Sequence, residues 1–327
     1  MKKRIKSIGI FIGVLLLVII LGFSFFVGKS VFENVVDMKN SSAETSSMEV
    51  AKEYFQKINF DIEDFQSKYQ IQELEIPSTF ESYKIPALYI KSNESNVKGI
   101  IVMVHGLGGN RWTNCPVGEM FLNNGYDVIT YDQRNAGDHK AKYHTFGYFE
   151  KNDLKDLVTY SKKIIHEDQM LGTFGFSMGS ETIGLYLGTD HGNKNLDFAI
   201  LDSSVDNMKN ILNIVMEDMN LGLPLSYLLF TENIYMKMKL GFTYKDTDVP
   251  NALKNTTVPV LVIHSEDDQL APYWMGENIY KGIPHNNKKL YSVKDSKHVE
   301  IYDDNPMEYE RQFLAFEKMV KEASLKK

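Results

Sequence analysis

A serine between two glycines is the first residue of this sequence that could do chemistry. The stretch GTFGFSMGSETIGLYLG (172–188) contains the pattern G-x-S-x-G, centred on Ser177. Glycines on both sides allow the tight strand-to-helix turn that exposes a reactive hydroxyl. Glycine and serine are common, so an ordinary turn would explain the pattern equally well. The rest of the chain must therefore supply a base, an acid and an oxyanion site.

The base that a serine hydroxyl needs is normally a histidine held by a carboxylate. Four histidines follow the serine: His191, His264, His285 and His298. His264 lies within an apolar run typical of a core strand, and His191 follows the serine helix closely. His298 stands between the last predicted strand and the last predicted helix, where a loop can carry its imidazole over the sheet edge. We predict His298 as the base.

An acidic cluster precedes His298 at the end of another predicted strand. In VIHSEDDQLAP both Asp267 and Asp268 are available, with Glu266 beside them. A solvated acidic turn is the alternative, but it does not explain the position of the cluster between a strand end and a helix. The chain order serine, acid, histidine is typical of this kind of sheet. The residues alone leave Asp267 and Asp268 open.

Two backbone amides could form the oxyanion site that acyl transfer needs. The N–H of Met178 follows the serine directly at the start of a predicted helix. The second donor is expected in the HGLGGN loop, most simply Leu107. A phosphate-binding loop is not indicated there, because no G-K-[ST] follows.

Strands and helices must alternate to position these groups. From about residue 70, two strands form an antiparallel start, and apolar runs such as KGIIVMVHG then alternate with amphipathic helical segments. This pattern predicts an α/β fold with a mostly parallel, doubly wound sheet, whose active site lies at the carboxyl ends of the strands. A helical, methionine-rich insertion at about 203–256 interrupts the alternation and is predicted to be a cap. Its apolar stretch LPLSYLLF can contribute to a pocket, and we expect cap residues such as Leu228 and Met236 to affect which acyl groups enter.

The amino terminus carries a separate signal. Residues 1–29 hold five basic and no acidic side chains, and no charge occurs from Ser7 to Gly28. Such a stretch can cross a bilayer, with its basic end in the cytoplasm. A cleavable signal peptide is the alternative, but no A-x-A-like site follows. We predict an uncleaved signal-anchor at 1–28, a tether with a lead-in helix at 29–69, and an extracytoplasmic catalytic domain at 70–327.

Composition excludes several function classes. The net charge is −7, which leaves −12 outside the basic amino terminus, so nucleic acid is an improbable partner. Cys115 is the only cysteine, so no intrachain disulfide can form, and no Cys/His spacing indicates a metal site. We expect neither cofactor nor metal.

Taken together, VHGLGG, YDQRNAG, GFSMG, HSEDDQLAP and SKH resemble the α/β-hydrolase superfamily over roughly residues 70–325. The segment YFEKNDLKDLV resembles the bacterial branch of serine aminopeptidase-like and prolyl-oligopeptidase-like hydrolases. The resemblance implies an α/β-hydrolase fold and, through the family pattern H-G-x-x-D, Asp268 as the acid. Ser265 stands where that pattern has glycine, and Ala136 where histidine is common, so the subfamily stays open.

These residues predict a serine hydrolase that cleaves esters or amides through an acyl-enzyme. A carboxylesterase acting on a small acyl ester is favoured, because ester turnover demands less of a site than peptide turnover. A serine peptidase of aminopeptidase type is the main alternative. A third possibility is a catalytically idle hydrolase fold that serves as a surface binding protein.

Overall fold

A mostly parallel sheet with helices on both faces forms the body of the protein. The computed structural model describes residues 2–37, 47–217, 219 and 222–324. The elements along the chain are α1 (Lys2–Val36), α2 (Ser47–Lys57), α3 (Ile62–Lys68), β1 (Gln70–Pro77), β2 (Lys84–Lys91), β3 (Gly99–Val104), α4 (Cys115–Asn123), β4 (Tyr126–Tyr131), α5 (Glu150–Ile164), β5 (Met170–Phe176), α6 (Met178–Leu187), α7 (Asp190–Asn195), β6 (Phe198–Asp202), α8 (Met208–Glu217), α9 (Leu225–Leu240), α10 (Val249–Ala252), β7 (Val260–Ser265), α11 (Tyr273–Gly282), β8 (Lys288–Val293), α12 (Ile301–Asp304) and α13 (Pro306–Ser324). Short 3-10 helices flank α10.

The strand order explains how distant residues meet. The strand order of the sheet is β1-β2-β4-β3-β5-β6-β7-β8. The pairs β1–β2 and β2–β4 are antiparallel, and every pair from β4 to β8 is parallel. Because β3, β5, β6 and β7 are neighbours, the loops after these strands share one edge of the sheet. The predicted α/β fold and its antiparallel start are confirmed.

The apolar runs of the sequence become strands buried on both faces. Every residue of β3, β4, β6 and β7 is buried, as two-sided coverage by helices requires. Side chains of β3 such as Val102 and Val104 pack under α5 and α6 on one face. Ile101 and Met103 pack under α4 and α13 on the other. Because successive side chains of a strand point to opposite faces of the sheet, β3 contributes to the apolar cores on both sides.

The insertion after β6 forms a separate helical layer. Its main helices, α8 and α9, build a third apolar cluster with Val205, Phe146 and Met275 from the body. This layer is the predicted cap, and it stands over the edge where β5, β6 and β7 end.

The amino-terminal helix joins this cap, which corrects one expectation. A tether was predicted from residue 29, but α1 continues unbroken to Val36. Phe32 and Val36 are fully buried in the cap cluster, and Val27 is nearly so. The apolar side chains of residues 31–36 recur at helical spacing, so they bury one face of the helix instead of forming a polar linker. Residues 38–46, the NSSAETSS part of the predicted tether, lie outside the described residues.

Candidate active site

Ser177 occupies a strained turn between β5 and α6. Its φ of 49° and ψ of −117° lie outside the regions that ordinary residues prefer. The glycines of the motif are needed for space. A Cβ at Gly179 would overlap the carbonyl oxygen of Val104, and one at Gly175 would lie 2.7 Å from the backbone of Gly179. The G-x-S-x-G spacing is therefore what lets this turn pack against β3.

Three predicted residues come together around this turn. The Nε2 atom of His298 lies 2.8 Å from the Oγ atom of Ser177. On the other side of the ring, Nδ1 lies 2.7 Å from Oδ2 of Asp268. With Nδ1 protonated, the imidazole donates to the carboxylate and presents a basic Nε2 to the hydroxyl. The three side chains thus form a continuous hydrogen-bonded chain from carboxylate to hydroxyl.

The two neighbouring aspartates have different surroundings. Asp268 is buried, and its Oδ1 accepts hydrogen bonds from the amides of Leu270 and Ala271, at 2.9 and 2.8 Å. Asp267 points elsewhere, and its Oδ2 accepts from the amide of Asp295 at 2.8 Å. The structure therefore brings Asp268, and not Asp267, against His298.

The other histidines that follow Ser177 are placed away from it. His264 is buried beneath Asp268, where its Nε2 donates to the carbonyl oxygen of Ala271 at 2.7 Å. Burial lowers its pKa, so the ring is neutral and serves as core packing. His191 bonds the hydroxyl of Tyr186 on the far side of α6.

The loop after β3 places Leu107 beside the serine. An ideal Cβ on Gly106 would touch the Cβ of Ser177 at 3.5 Å, so this loop lies directly against the turn. His105 holds it there: its Nε2 accepts from the amide of Gln133, and its Nδ1 donates to the carbonyl of Gly106 at 2.7 Å. Among the described residues, neither the Leu107 amide nor the Met178 amide donates a hydrogen bond. Both predicted oxyanion donors are thus uncommitted.

A second set of buried groups supports the histidine loop, and sequence reasoning missed it. Asp202, at the end of β6, accepts hydrogen bonds from Ser203 and from the hydroxyl of Tyr309, at 2.9 and 2.6 Å. Burial raises the pKa of Asp202 to about 7, although both hydrogen bonds act in the opposite direction. The Oγ of Ser203 also accepts the amide of Val299, next to His298. The LDSS motif after a buried strand was the available signal.

An apolar pocket opens above these groups. It has a volume of about 480 Å³, a size usual for small-ligand sites. Ser177, His298, Leu107 and Met178 lie at its base. The other lining residues are Val50, Tyr54, Gly106, Gly109, Thr113, Asn114, Phe146, Phe176, Val205, Ile211, Val215, Leu270 and Val299. No carboxylate is among these lining residues, so the pocket favours an apolar group.

The cap contributes to the pocket through a different helix than the sequence suggested. The sequence predicts that the stretch LPLSYLLF (223–230) contributes to the pocket and that cap residues such as Leu228 and Met236, both in α9, affect which acyl groups enter. Both side chains are instead buried in the cap's own core. The cap helix that lines the pocket is α8, through Ile211 and Val215, one helical turn apart, and Val205 before α8 also lines it. Because α9 is apolar around most of its circumference, its pattern did not indicate which side faces the site.

Comparisons with known proteins agree with this architecture. The profile of the α/β hydrolase fold family matches residues 99–235. The Pyrococcus furiosus esterase Pf2001 superposes with a TM-score of 0.62 over 79% of this chain and 95% of its own, at 23% identity. The chain has the α/β-hydrolase fold. An esterase from Exiguobacterium antarcticum superposes with a TM-score of 0.55 over 76% of this α/β hydrolase and the whole of that enzyme, at 19% identity.

A sequence relative covers a similar part of this α/β hydrolase. The Bacillus subtilis protein YqkD, described as uncharacterized, is 27% identical over 236 residues, which are 72% of this chain and 75% of YqkD. A putative non-heme chloroperoxidase from Synechocystis is 35% identical over only 107 residues, about a third of each chain. The predicted α/β-hydrolase fold is confirmed and the profile match supports the predicted superfamily, whereas the aminopeptidase-like branch stays a prediction.

Proposed function

We propose that this α/β hydrolase is a serine esterase that cleaves a carboxylic ester through an acyl-enzyme. The observation that carries the proposal is the continuous hydrogen-bonded chain of Ser177, His298 and Asp268 beneath an apolar pocket. Each link has the length and partner that nucleophilic catalysis by serine needs.

Acylation follows from this arrangement. The Oγ of Ser177 attacks the ester carbonyl while its proton passes to Nε2 of His298, and Asp268 stabilises the imidazolium that forms. The carbonyl oxygen gains negative charge and accepts hydrogen bonds from the amides of Met178 and Leu107. The tetrahedral intermediate collapses, the C–O bond of the ester breaks, and His298 returns the proton to the leaving alcohol.

Deacylation uses the same groups with water as the nucleophile. His298 takes a proton from a water molecule, whose oxygen attacks the acyl carbonyl. Breakdown of the second intermediate releases a carboxylic acid and restores the hydroxyl of Ser177. Ester and water are consumed, and acid and alcohol are produced, so the cycle needs no cofactor.

The lining of the pocket favours an ester over a peptide with a free amino terminus. An aminopeptidase must bind a positively charged amine, for which a carboxylate close to the nucleophile is the natural partner. Within the described lining, Asp268 is absent because it lies behind His298, and no other Asp or Glu reaches the cavity. The aminopeptidase-type alternative and the idle binding protein are both tested by the experiment below.

The test is labelling and turnover with a matched variant. Wild-type protein should react with a fluorophosphonate probe and hydrolyse short p-nitrophenyl esters, whereas Ser177→Ala should do neither and should unfold at the same temperature. Ser180→Ala serves as a control, since its hydroxyl is bonded to backbone carbonyls behind the turn. Labelling without ester turnover, together with cleavage of aminoacyl amides, would favour the peptidase. No labelling at all would favour the idle fold.

We also propose that α1 anchors the enzyme in a membrane with its catalytic domain outside the cytoplasm. Lys6–Val36 is long and apolar enough to span, with a mean hydropathy of 3.1 in its most apolar window, and that window is almost wholly exposed. The basic residues precede the apolar run, which favours this orientation. Protease added to intact cells should digest the domain while the protein sediments with membranes. Protection of the domain from the protease would indicate the opposite orientation. A soluble product that begins near residue 25–30 would indicate a cleaved signal peptide.

A further inference from the structure

The packing of α1 along the cap helix α9 fixes how deep the cap lies relative to the anchor. The hydroxyls of Ser24 and Tyr227 are 2.8 Å apart. One turn later, Gly28 lies so close to the carbonyl of Thr231 that a Cβ on it would overlap the oxygen. Another turn later, the rings of Phe32 and Tyr235 are 5.2 Å apart. The two helices therefore run side by side in the same direction and in constant register.

In this register the start of α9 lies beside the last uncharged turns of α1. The apolar run of α1 is uncharged from Ser7 to Gly28 and ends at Lys29. The cap segment, residues 223–231, is also uncharged, and Thr231 lies beside Gly28. Glu232, the next residue, is buried and does not itself mark a surface. The boundary at Lys29 therefore lies at the level of Thr231, and a bilayer surface there would enclose the start of α9.

The cap segment exposes apolar side chains on the membrane side of this boundary. Phe230 and Leu223 are 61% and 36% exposed. The part of α9 from Leu225 to Thr231 spans roughly 10 Å at 1.5 Å per residue, which is comparable to the depth of interfacial helices in the headgroup and upper acyl region. Large exposed apolar groups at this position would be covered by lipid.

The rim of the active-site pocket adjoins this segment. Val215 lines the pocket and is 42% exposed, so it stands at the opening. The helix that carries it, α8, ends at Glu217 and packs with α9 in one apolar cluster. The rim of the pocket therefore belongs to the same helical layer as the start of α9, with Glu217 and Asp218 between them in the sequence.

We infer that residues 223–231 rest in the surface of the bilayer that holds α1, and that the substrate is a long-chain acyl ester taken from that surface. This inference rests on the proposed serine esterase and on its membrane anchor. It specifies a class of substrate: esters whose acyl chain is too apolar to leave the membrane freely. The acyl chain enters along Val215 and Ile211, and its carbonyl reaches Ser177.

The position of the cap is tested without any enzymatic readout. Full-length protein carrying Phe230→Cys is labelled with the environment-sensitive NBD fluorophore and reconstituted in phosphatidylcholine vesicles. The native Cys115 is buried and should not react. Met307→Cys, 81% exposed at the start of α13, is the matched control. We expect blue-shifted emission at 230, quenched by spin-labelled lipid, and water-like emission at 307. Water-like emission at both positions would overturn the inference.

The substrate class is tested with two esters. One is a soluble p-nitrophenyl butyrate, and the other is a fluorogenic long-chain ester carried in the vesicles. Phe230→Asp should lower the ratio of vesicle-ester to soluble-ester turnover at least tenfold, whereas Met307→Asp should leave it unchanged. An unchanged ratio in Phe230→Asp would overturn the inference but leave the esterase intact. Absence of turnover on both esters in wild-type protein would instead refute the proposed function.

Discussion

The Oγ atom of Ser203 accepts a hydrogen bond from the amide of Val299 at 3.2 Å, which ties the end of β6 to the loop that carries His298. Both residues have positive φ values, 48° and 58°, that a side chain rarely adopts. The hydroxyl also donates to Asp202, which in turn is bonded to Tyr309 of α13. Ser203, which is not part of the proposed triad, therefore positions the loop that carries His298.

We expect Ser203→Ala to lower kcat about fivefold with little change in KM, because a hydrogen bond of about 1 kcal/mol that orients His298 is lost. Ser204→Ala is the matched control, since its buried hydroxyl has no hydrogen-bond partner among the described residues. Steady-state kinetics on a soluble ester separates the two parameters. An equal loss in both variants would show a general packing defect and not a positioning role.

The two adjacent aspartates should differ sharply when each is changed to asparagine. Asp268→Asn removes the carboxylate that holds the Nδ1 proton of His298, and a comparable change in a serine protease lowers kcat about 10⁴-fold. Asp267→Asn should retain turnover within a few-fold of wild type, because Asp267 bonds only the turn at Asp295. Kinetics and thermal unfolding of both variants test this. A larger loss in Asp267→Asn would move the acid to that residue.

Selectivity for acyl length should depend on α8 and not on the interior of α9. Val215→Trp narrows the rim of the pocket, so we expect the preference for a decanoate over an acetate ester to fall by about 1–3 kcal/mol, roughly 5- to 160-fold in kcat/KM. Leu228→Ala leaves a cavity in the cap core and should cost about 2–5 kcal/mol of stability while the preference persists. An equal shift of preference in a folded Leu228→Ala variant would contradict this assignment.

The buried Glu232 should make the cap less stable as pH rises. Burial raises its pKa to about 8, and neither carboxylate oxygen has a hydrogen-bond partner among the described residues. A carboxyl whose pKa is higher folded than unfolded binds protons more tightly in the folded state, so stability falls between about pH 4.5 and 8.

Glu232→Gln removes this titration. At pH 7 we expect the free energy of unfolding to increase by about 1–3 kcal/mol, and at pH 4.5 to change little. Chemical or thermal unfolding in detergent at both pH values measures the difference. Glu53→Gln, on the exposed face of α2, is the control and should show no such dependence. If Glu232→Gln stabilised the protein equally at both pH values, ionisation of Glu232 would not be the cause.

Local sequence patterns were sufficient to predict the sheet and the elements around the proposed nucleophile. Continuous apolar runs became buried parallel strands, and glycine spacing indicated the turn at Ser177. The choice of His298 followed from its place between the last strand and the last helix. Asp268 required the family resemblance, because two adjacent carboxyls at a strand end have the same local pattern and differ only in which one turns toward the histidine.

Other features depend on contacts between distant segments and could not be read from local patterns. Tyr309 meets Asp202 across 107 residues of sequence. The packing of α1 on α9 depends on the small size of Gly28, which looks like any glycine in an apolar run. Amphipathic spacing after Lys29 was visible, but an adjoining polar stretch suggested a linker instead of a helix face.

The docking of α1 means that the proposed membrane anchor is not interchangeable. Any apolar helix of sufficient length could hold a protein in a bilayer, but only one with Gly28, Phe32 and Val36 in this register can also complete the cap core. The last turns of α1 are further held by His144, which bonds the carbonyl oxygens of Val35 and Val36. Replacing the segment with a foreign transmembrane helix, or expressing the domain from residue 47, would leave the cap with an unfilled apolar groove. The sequence of α1 is therefore constrained by the packing of the cap in addition to its proposed role as an anchor.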